Sequence, residues 1–232
     1  MWYNSFGKVV LVIVLCFVLL LGVAFGLLVF SQYYDLNTTN TLPVQTGNTT
    51  NANQASLGYV APDADDDPYL GHVDAAVEII AFEDFQCPFC KTAEPILEDV
   101  YRLYPNDVKV VYRDFPLYTI HDQAVAAAQA GECADEQGKF WAWHDEAFAN
   151  QSALAAAPAV FSVWAETAGL DVTTFEACVV AERYADEVQK DLNEGFLAGV
   201  SATPTFFING QRVLGIQSEA EWIELIEAAL AN

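Results

Sequence analysis

Cys87-Pro88-Phe89-Cys90 places two thiols one helical turn apart, a spacing at which two sulfurs can meet in a disulfide. The motif follows Val77-Glu78-Ile79-Ile80-Ala81-Phe82, a β-branched, apolar run that suits a buried strand. It precedes a helical pattern over Lys91–Tyr104, with Ile96, Leu97, Val100, Leu103 and Tyr104 on one face. Cys87 therefore falls at a helix N-terminus, where unpaired N–H groups and the helix dipole favour a thiolate, the reactive form of cysteine. Pro88 suits the first helical turn, where its missing N–H costs nothing. The alternative chemistry is half a zinc site. Zinc needs about four ligands, usually from a second C-x-x-C or an H-x-x-x-H. The chain has neither, and zinc held by Cys87, Cys90, Cys133 and Cys178 is only a formal alternative.

The elements that must position this pair lie between about Tyr69 and Asn232. Asp107–Arg113 reads as a second strand. From His121 to Leu197 the chain is Ala-rich and helical in period, with breaks near Gly131, Gly138, Pro158 and Gly169, which predicts an inserted block of about four helices. Thr205–Ile208 reads as a strand, and Asn209-Gly210 turns the chain into a partner strand over Gln211–Ile216. Ser218 with Glu221 forms a capping-box pattern before a last helix. This order predicts an α/β, thioredoxin-like fold with a helical subdomain at about 121–197, and a C-x-x-C at the carboxyl end of a strand.

The N-terminal part differs. Val9–Phe30 is an uncharged apolar run, longer than the roughly 20 residues that cross a bilayer. Lys8 precedes it, and no Lys or Arg follows until Lys91. The positive-inside rule thus leaves residues 1–8 in the cytoplasm, makes 9–30 a transmembrane anchor, and puts the catalytic domain outside, on a single-pass cell-membrane protein. A cleaved signal peptide fits less well, because the run is long and no clear A-x-A site follows. Cys16 lies within the run, after a bulky Leu15 that does not suit a lipoprotein site. Residues 31–68 are rich in Asn, Thr, Gln and Ser without apolar period, which predicts a flexible, disordered linker. Asn37, Asn48 and Asn150 each open a glycosylation sequon, a pattern that arises easily by chance in such tracts.

Lys and Arg total 9 against 32 Asp and Glu, a net charge of −23. That excludes a basic nucleic-acid-binding surface and argues against docking on anionic lipid headgroups. It fits a solvated surface, or a high-salt habitat where screening tolerates acidity.

Several separate motifs resemble the DsbA-like thiol-disulfide oxidoreductases, nearest to their membrane-anchored extracytoplasmic members. They are Asp66-Asp67-Pro68-Tyr69-Leu70-Gly71, Phe82-Glu83-Asp84-Phe85-Gln86-Cys87-Pro88-Phe89-Cys90, Gly138-Lys139-Phe140-Trp141 and Val200–Gly210. The resemblance implies Cys87 and Cys90 as the catalytic pair. It implies a cis Pro204 facing them, with Thr203 binding a partner's extended segment as an added strand, and with Pro88 and Phe89 contributing to the active-site surface. It implies no metal or organic cofactor. The expected partners are cysteine-containing exported proteins and a quinone-linked membrane redox protein. Oxidase, reductase and isomerase directions would use the same residues, and a non-catalytic tethered binding module is the alternative from another class. Many members carry a buried acid at the position of Ala81; Glu83, two residues on and on the same strand face, is a candidate proton relay, although the simpler expectation is a solvated charge. Some relatives carry a structural disulfide where Cys133 and Cys178 fall, which the even count of extracytoplasmic cysteines also fits; the alternative is two buried thiols. Asp84 matches a common family acid without an assigned role. His72, His121 and His144 read as caps or core groups, Trp141, Trp143 and Phe148 as insertion core, and Phe89 and Phe115 as the active-site rim.

Overall fold

The computed structural model describes residues 61–62 and 66–231. The anchor segment, most of the linker, Cys16 and the sequons at Asn37 and Asn48 lie outside them. Among the described residues no helix is long and apolar enough to cross a membrane.

Strand β2 (Val77–Glu83) is the centre of the sheet. It pairs in parallel with β3 (Val108–Asp114) and antiparallel with β4 (Thr205–Ile208). Beyond β3 lies β1 (Tyr69–Gly71), and beyond β4 lies β5 (Gln211–Leu214), giving the order β1-β3-β2-β4-β5. The near-continuous apolar reading of β2 follows from cover on both faces. Val77, Ile79 and Ala81 face one cluster with Leu97, Val100, Trp222 and Ile226. Ile80 and Phe82 face the other, with Leu192, Val200 and Phe207. Helices α1 (Pro88–Leu103) and α7 (Glu219–Leu230) cover the first face. The Ser218–Glu221 capping box that starts α7 is present.

Between β3 and β4 the chain forms α2 (Ala124–Asp135), α3 (Phe140–Ala149), a 3-10 turn over Gln151–Ala156, α4 (Ala159–Thr167), α5 (Val172–Val180) and α6 (Ala185–Leu197). The insertion thus has five α-helices rather than about four. Gly131 does not break a helix; it sits inside α2 where a Cβ would come within 3.2 Å of the Phe85 and Phe140 rings. The extra boundary falls at Glu182, a non-glycine residue with φ of 47°. Strand β1 was not anticipated, and the fold begins before Tyr69. Pro68 accepts a hydrogen bond from the Tyr112 N–H, and Asp67 is buried against Arg113.

Arg113 is fully buried on β3 and binds Asp67, Asp191 and Glu194 at 2.6–2.8 Å. One guanidinium thus ties the N-terminal segment and α6 to the sheet. Its five fixed donors suit such a multi-carboxylate site.

Cys133 on α2 and Cys178 on α5 are joined in a disulfide with a sequence separation of 45. Closing so long a loop restricts the unfolded chain. The Cys133→Ala/Cys178→Ala variant should lose about 2–4 kcal/mol in urea unfolding while keeping thiol exchange at Cys87.

Candidate active site

The site forms where β2 ends and α1 begins. Cys87 is the N-cap of α1, Pro88 occupies its first turn, and Cys90 faces the core one turn on. Both sulfurs are free thiols, and both residues are buried. The Cys87 N–H donates to Asp84 O at 2.9 Å, closing the turn. Asp84 is itself buried and accepts from Gln86 N–H, from Leu117 N–H and at His121 Nδ1. It ties the turn to the loop after β3, a structural role. Gln151 adds a second clamp from the insertion, its Nε2 donating at 2.8 Å to the carbonyls of both Phe85 and Cys87. The sequence offered no signal for Gln151, whose contacts arise only when the insertion folds over the motif.

The Thr203–Pro204 bond is cis, and β4 starts directly after it. Register of β4 on β2, with Thr205 opposite Phe82, carries Thr203 to the Cys87 end of the strand. Cys87 Sγ lies 3.4 Å from Thr203 O, to which it donates only in its thiol form. Phe89 stands out at 63% exposure on the rim. Phe115 does not join it: it is buried against Phe82 and below Gly195, because the chain turns inward after β3.

The two sulfurs are driven apart electrostatically. A hydrogen bond from the Cys90 thiol, the Thr203 side chain and the N–H groups of Cys90 and Phe89 outweigh burial and bring Cys87 down to about 5. Burial pushes Cys90 well above its ordinary value, helped by its partner sulfur and Glu83. At neutral pH the pair is thus a thiolate beside a thiol. This asymmetry defines an attacking and a resolving cysteine.

Glu83 is not a solvated charge. It ends β2 at 1% exposure, because the insertion covers the strand end that would otherwise meet water. Burial, then the nearby Glu94 carboxylate, holds its acid form well above the usual carboxylate range. Glu94 and His144 were missed as site residues. Glu94 lies four residues after Cys90 on α1, which puts it on the same helix face, a signal the sequence did carry. His144 is a buried core group whose Nε2 lies 3.2 Å from Glu94 Oε2. His72 only accepts the Asp74 N–H in a turn.

A family model described as thioredoxin matches residues 63–228. The chain belongs to the thioredoxin family, in its DsbA-like branch of thiol-disulfide oxidoreductases. The solved structure of oxidised BdbD from Bacillus subtilis is similar, with a TM-score of 0.66 and 25% identity, over 75% of this chain and 98% of that one. DsbA from Chlamydia trachomatis shares the fold, with a TM-score of 0.64 and 17% identity, over 75% and 96% of the two chains. A curated relative, Na(+)/H(+) antiporter NhaA 3 of Salinispora tropica, is 36% identical over 182 residues. That match covers 78% of this chain but 27% of the antiporter, so the chain spans about a quarter of the curated relative's length.

Proposed function

We propose that this protein is a membrane-anchored dithiol oxidase that introduces disulfides into exported proteins outside the cytoplasm. One observation carries the direction: Cys87 is lowered to about 5, and a stabilised thiolate favours the reduced enzyme, which makes its disulfide oxidising. A substrate thiolate attacks Cys87 Sγ of the Cys87–Cys90 disulfide. The S–S bond breaks, its electron pair leaves on Cys90 Sγ, and that sulfur takes up a proton from the Glu83 acid. A second substrate thiol, its proton released to solvent, attacks the substrate sulfur of the mixed disulfide and expels the Cys87 thiolate. The substrate has lost two electrons and two protons, and the enzyme holds the reduced pair as the Cys87 thiolate and the Cys90 thiol, with Glu83 left ionised. Thr203 O beside Cys87 offers an acceptor for a backbone N–H of the extended substrate. Exposed Phe89 suits apolar segments of unfolded proteins.

The anchor reading rests on Val9–Phe30 and the charge asymmetry around it. Reoxidation then falls to a membrane redox partner, by family analogy a quinone-linked protein. The test uses oxidised full-length protein in detergent with a peptide holding two cysteines. The peptide disulfide should form in a 1:1 ratio with Cys87–Cys90 dithiol. If the peptide stays reduced while the dithiol protein readily reduces a peptide disulfide, the chain is a reductase.

A further inference from the structure

Gln151 opens the 3-10 turn that follows α3, and its side chain reaches back to the motif. Nε2 donates at 2.8 Å to the carbonyls of both Phe85 and Cys87. Two acceptors at one atom identify that atom as the amide nitrogen rather than the oxygen. Phe85 and Cys87 are both buried, so a carbonyl there that loses its donor carries a desolvation penalty. The α1 ladder holds the Cys87 carbonyl less well. The Lys91 N–H donor stands 3.3 Å from it, at the long edge of a hydrogen bond. The shorter bond comes from the insertion.

The segment that carries Gln151 is itself fixed. Leu154 is buried in the aromatic cluster with Phe85, Phe148 and Trp164, and anchors the 3-10 turn. A cleft of about 600 Å³ opens between α1 and α3. Lys91, on its α1 wall, donates through Nζ to Ala149 O at 3.0 Å. Asn150 Nδ2 donates to Glu146 O and closes the end of α3. The Gln151 amide is thus held from behind while it holds the turn in front.

Gripping the carbonyls of Phe85 and Cys87 fixes two alternate peptide planes, and the second is the Cys87–Pro88 peptide on which α1 begins. Pro88 has no N–H, so the first donors that α1 offers to Cys87 are the N–H groups of Phe89 and Cys90. We infer that Gln151 is a positioning residue for thiol exchange, holding the first peptide of α1 in the orientation that aims those N–H groups at Cys87 Sγ. The inference rests on the exchange reading above, in which Cys87 is expelled as a thiolate. Gln151 acts through the backbone and hydrogen-bonds neither sulfur. A neutral amide suits the task, because it brings two N–H groups on one atom without adding a charge beside the thiolate. The titratable groups that act on Cys87 are Cys90 on α1 and Glu83 on β2, and Gln151 hydrogen-bonds neither of them.

The test follows the Cys87 thiolate titration and the equilibrium with glutathione in the full-length protein in detergent. Gln151→Ala removes the amide without adding charge, and Gln151→Glu keeps its length while removing the donors. Both should weaken thiolate formation about tenfold, the scale of one or two lost hydrogen bonds. The glutathione equilibrium at neutral pH should move about tenfold toward the disulfide, because the reduced form loses part of its stabilised thiolate. Gln137 supplies the control. It makes a similar pair of bonds to the backbone of Asp171, within the insertion and away from the motif. Gln137→Ala should leave both measurements at wild type. A Gln151→Ala protein that titrates as wild type overturns the inference, and so does an equal shift in Gln137→Ala, which would mean general loosening of the insertion. Wild-type protein gives a further readout where the Gln151 variants do not fold. The Gln151 side-chain amide resonance should titrate with Cys87, at about 5, and a resonance flat through that titration overturns the inference too. Failure of the exchange reading shows elsewhere, as a wild-type Cys87 midpoint near the ordinary 9.0.

Discussion

Cys87→Ser should abolish exchange, and Cys90→Ser should accumulate mixed disulfides with substrate. The expectation follows from the placement of the two sulfurs. Cys87 is the N-cap of α1, lies against Thr203 and carries the lowered thiolate. It is the atom a substrate reaches, and a serine hydroxyl there forms no disulfide. Cys90 is fully buried, behind Cys87 and beside Glu83. A Cys90→Ser protein retains the Cys87 thiolate, which attacks substrate disulfides and then lacks the internal thiol that would release it. Non-reducing gels and mass spectrometry of cell extracts would separate the cases. A tethered binding module would be indifferent to both substitutions.

Arg113→Met should cost about 3–5 kcal/mol, the range for removing one partner of a buried ion pair. The methionine fills part of the space but leaves Asp67, Asp191 and Glu194 facing one another without their cation. The loss should grow with pH. Asp191 already sits at about 6, where burial raises it and Arg113 holds it down, and burial with its acidic neighbours lifts Glu132 to about 8. Carboxyls raised above their unfolded values keep protons that the unfolded chain releases. Their cost is absent below the unfolded range near 4 and complete above the folded value. Without Arg113 the Asp191 value moves further up, so urea unfolding should show a small deficit near pH 4 and the full one at pH 8. A deficit that is equal at both pH values would mean that lost packing, not uncompensated charge, is what the arginine prevents.

The central elements were legible because their sequence signals are local. The apolar run of β2, the C-x-x-C with Pro88, the Asn-Gly hairpin and the Ser218–Glu221 box each state their conformation within a few residues. Boundaries shifted slightly where a cap decides them. Helix α1 starts at Pro88, before Lys91, and β5 ends at Leu214 because Gly215 turns at φ of 70°. What was not legible depends on contacts between distant segments. β1 is three residues long, too short for a period, and exists only because β3 offers it an edge. Glu83 read as solvated because a charged residue at a strand end usually is; the insertion, which starts about forty residues on, buries it. Glu94 carried a signal in its spacing from Cys90, whereas His144 is unremarkable in the sequence and takes its meaning from the contact with Glu94. Trp143 and Phe148 were read correctly as core, while Trp141 is half-buried and turns toward the cleft.

The most direct test of the account is a thiolate titration of the dithiol protein, following thiolate absorbance from about pH 3 to about pH 10 and subtracting the Cys87→Ser signal. The account predicts a midpoint at about 5 for Cys87, with Cys90 still a thiol at neutral pH. Because the folded value lies below the unfolded one, the stabilisation of the dithiol form is complete above the range of an ordinary thiol and is lost as pH falls through about 5. A Cys87 midpoint near the ordinary 9.0 would contradict an activated nucleophile and, with it, the oxidising disulfide on which the proposed function stands.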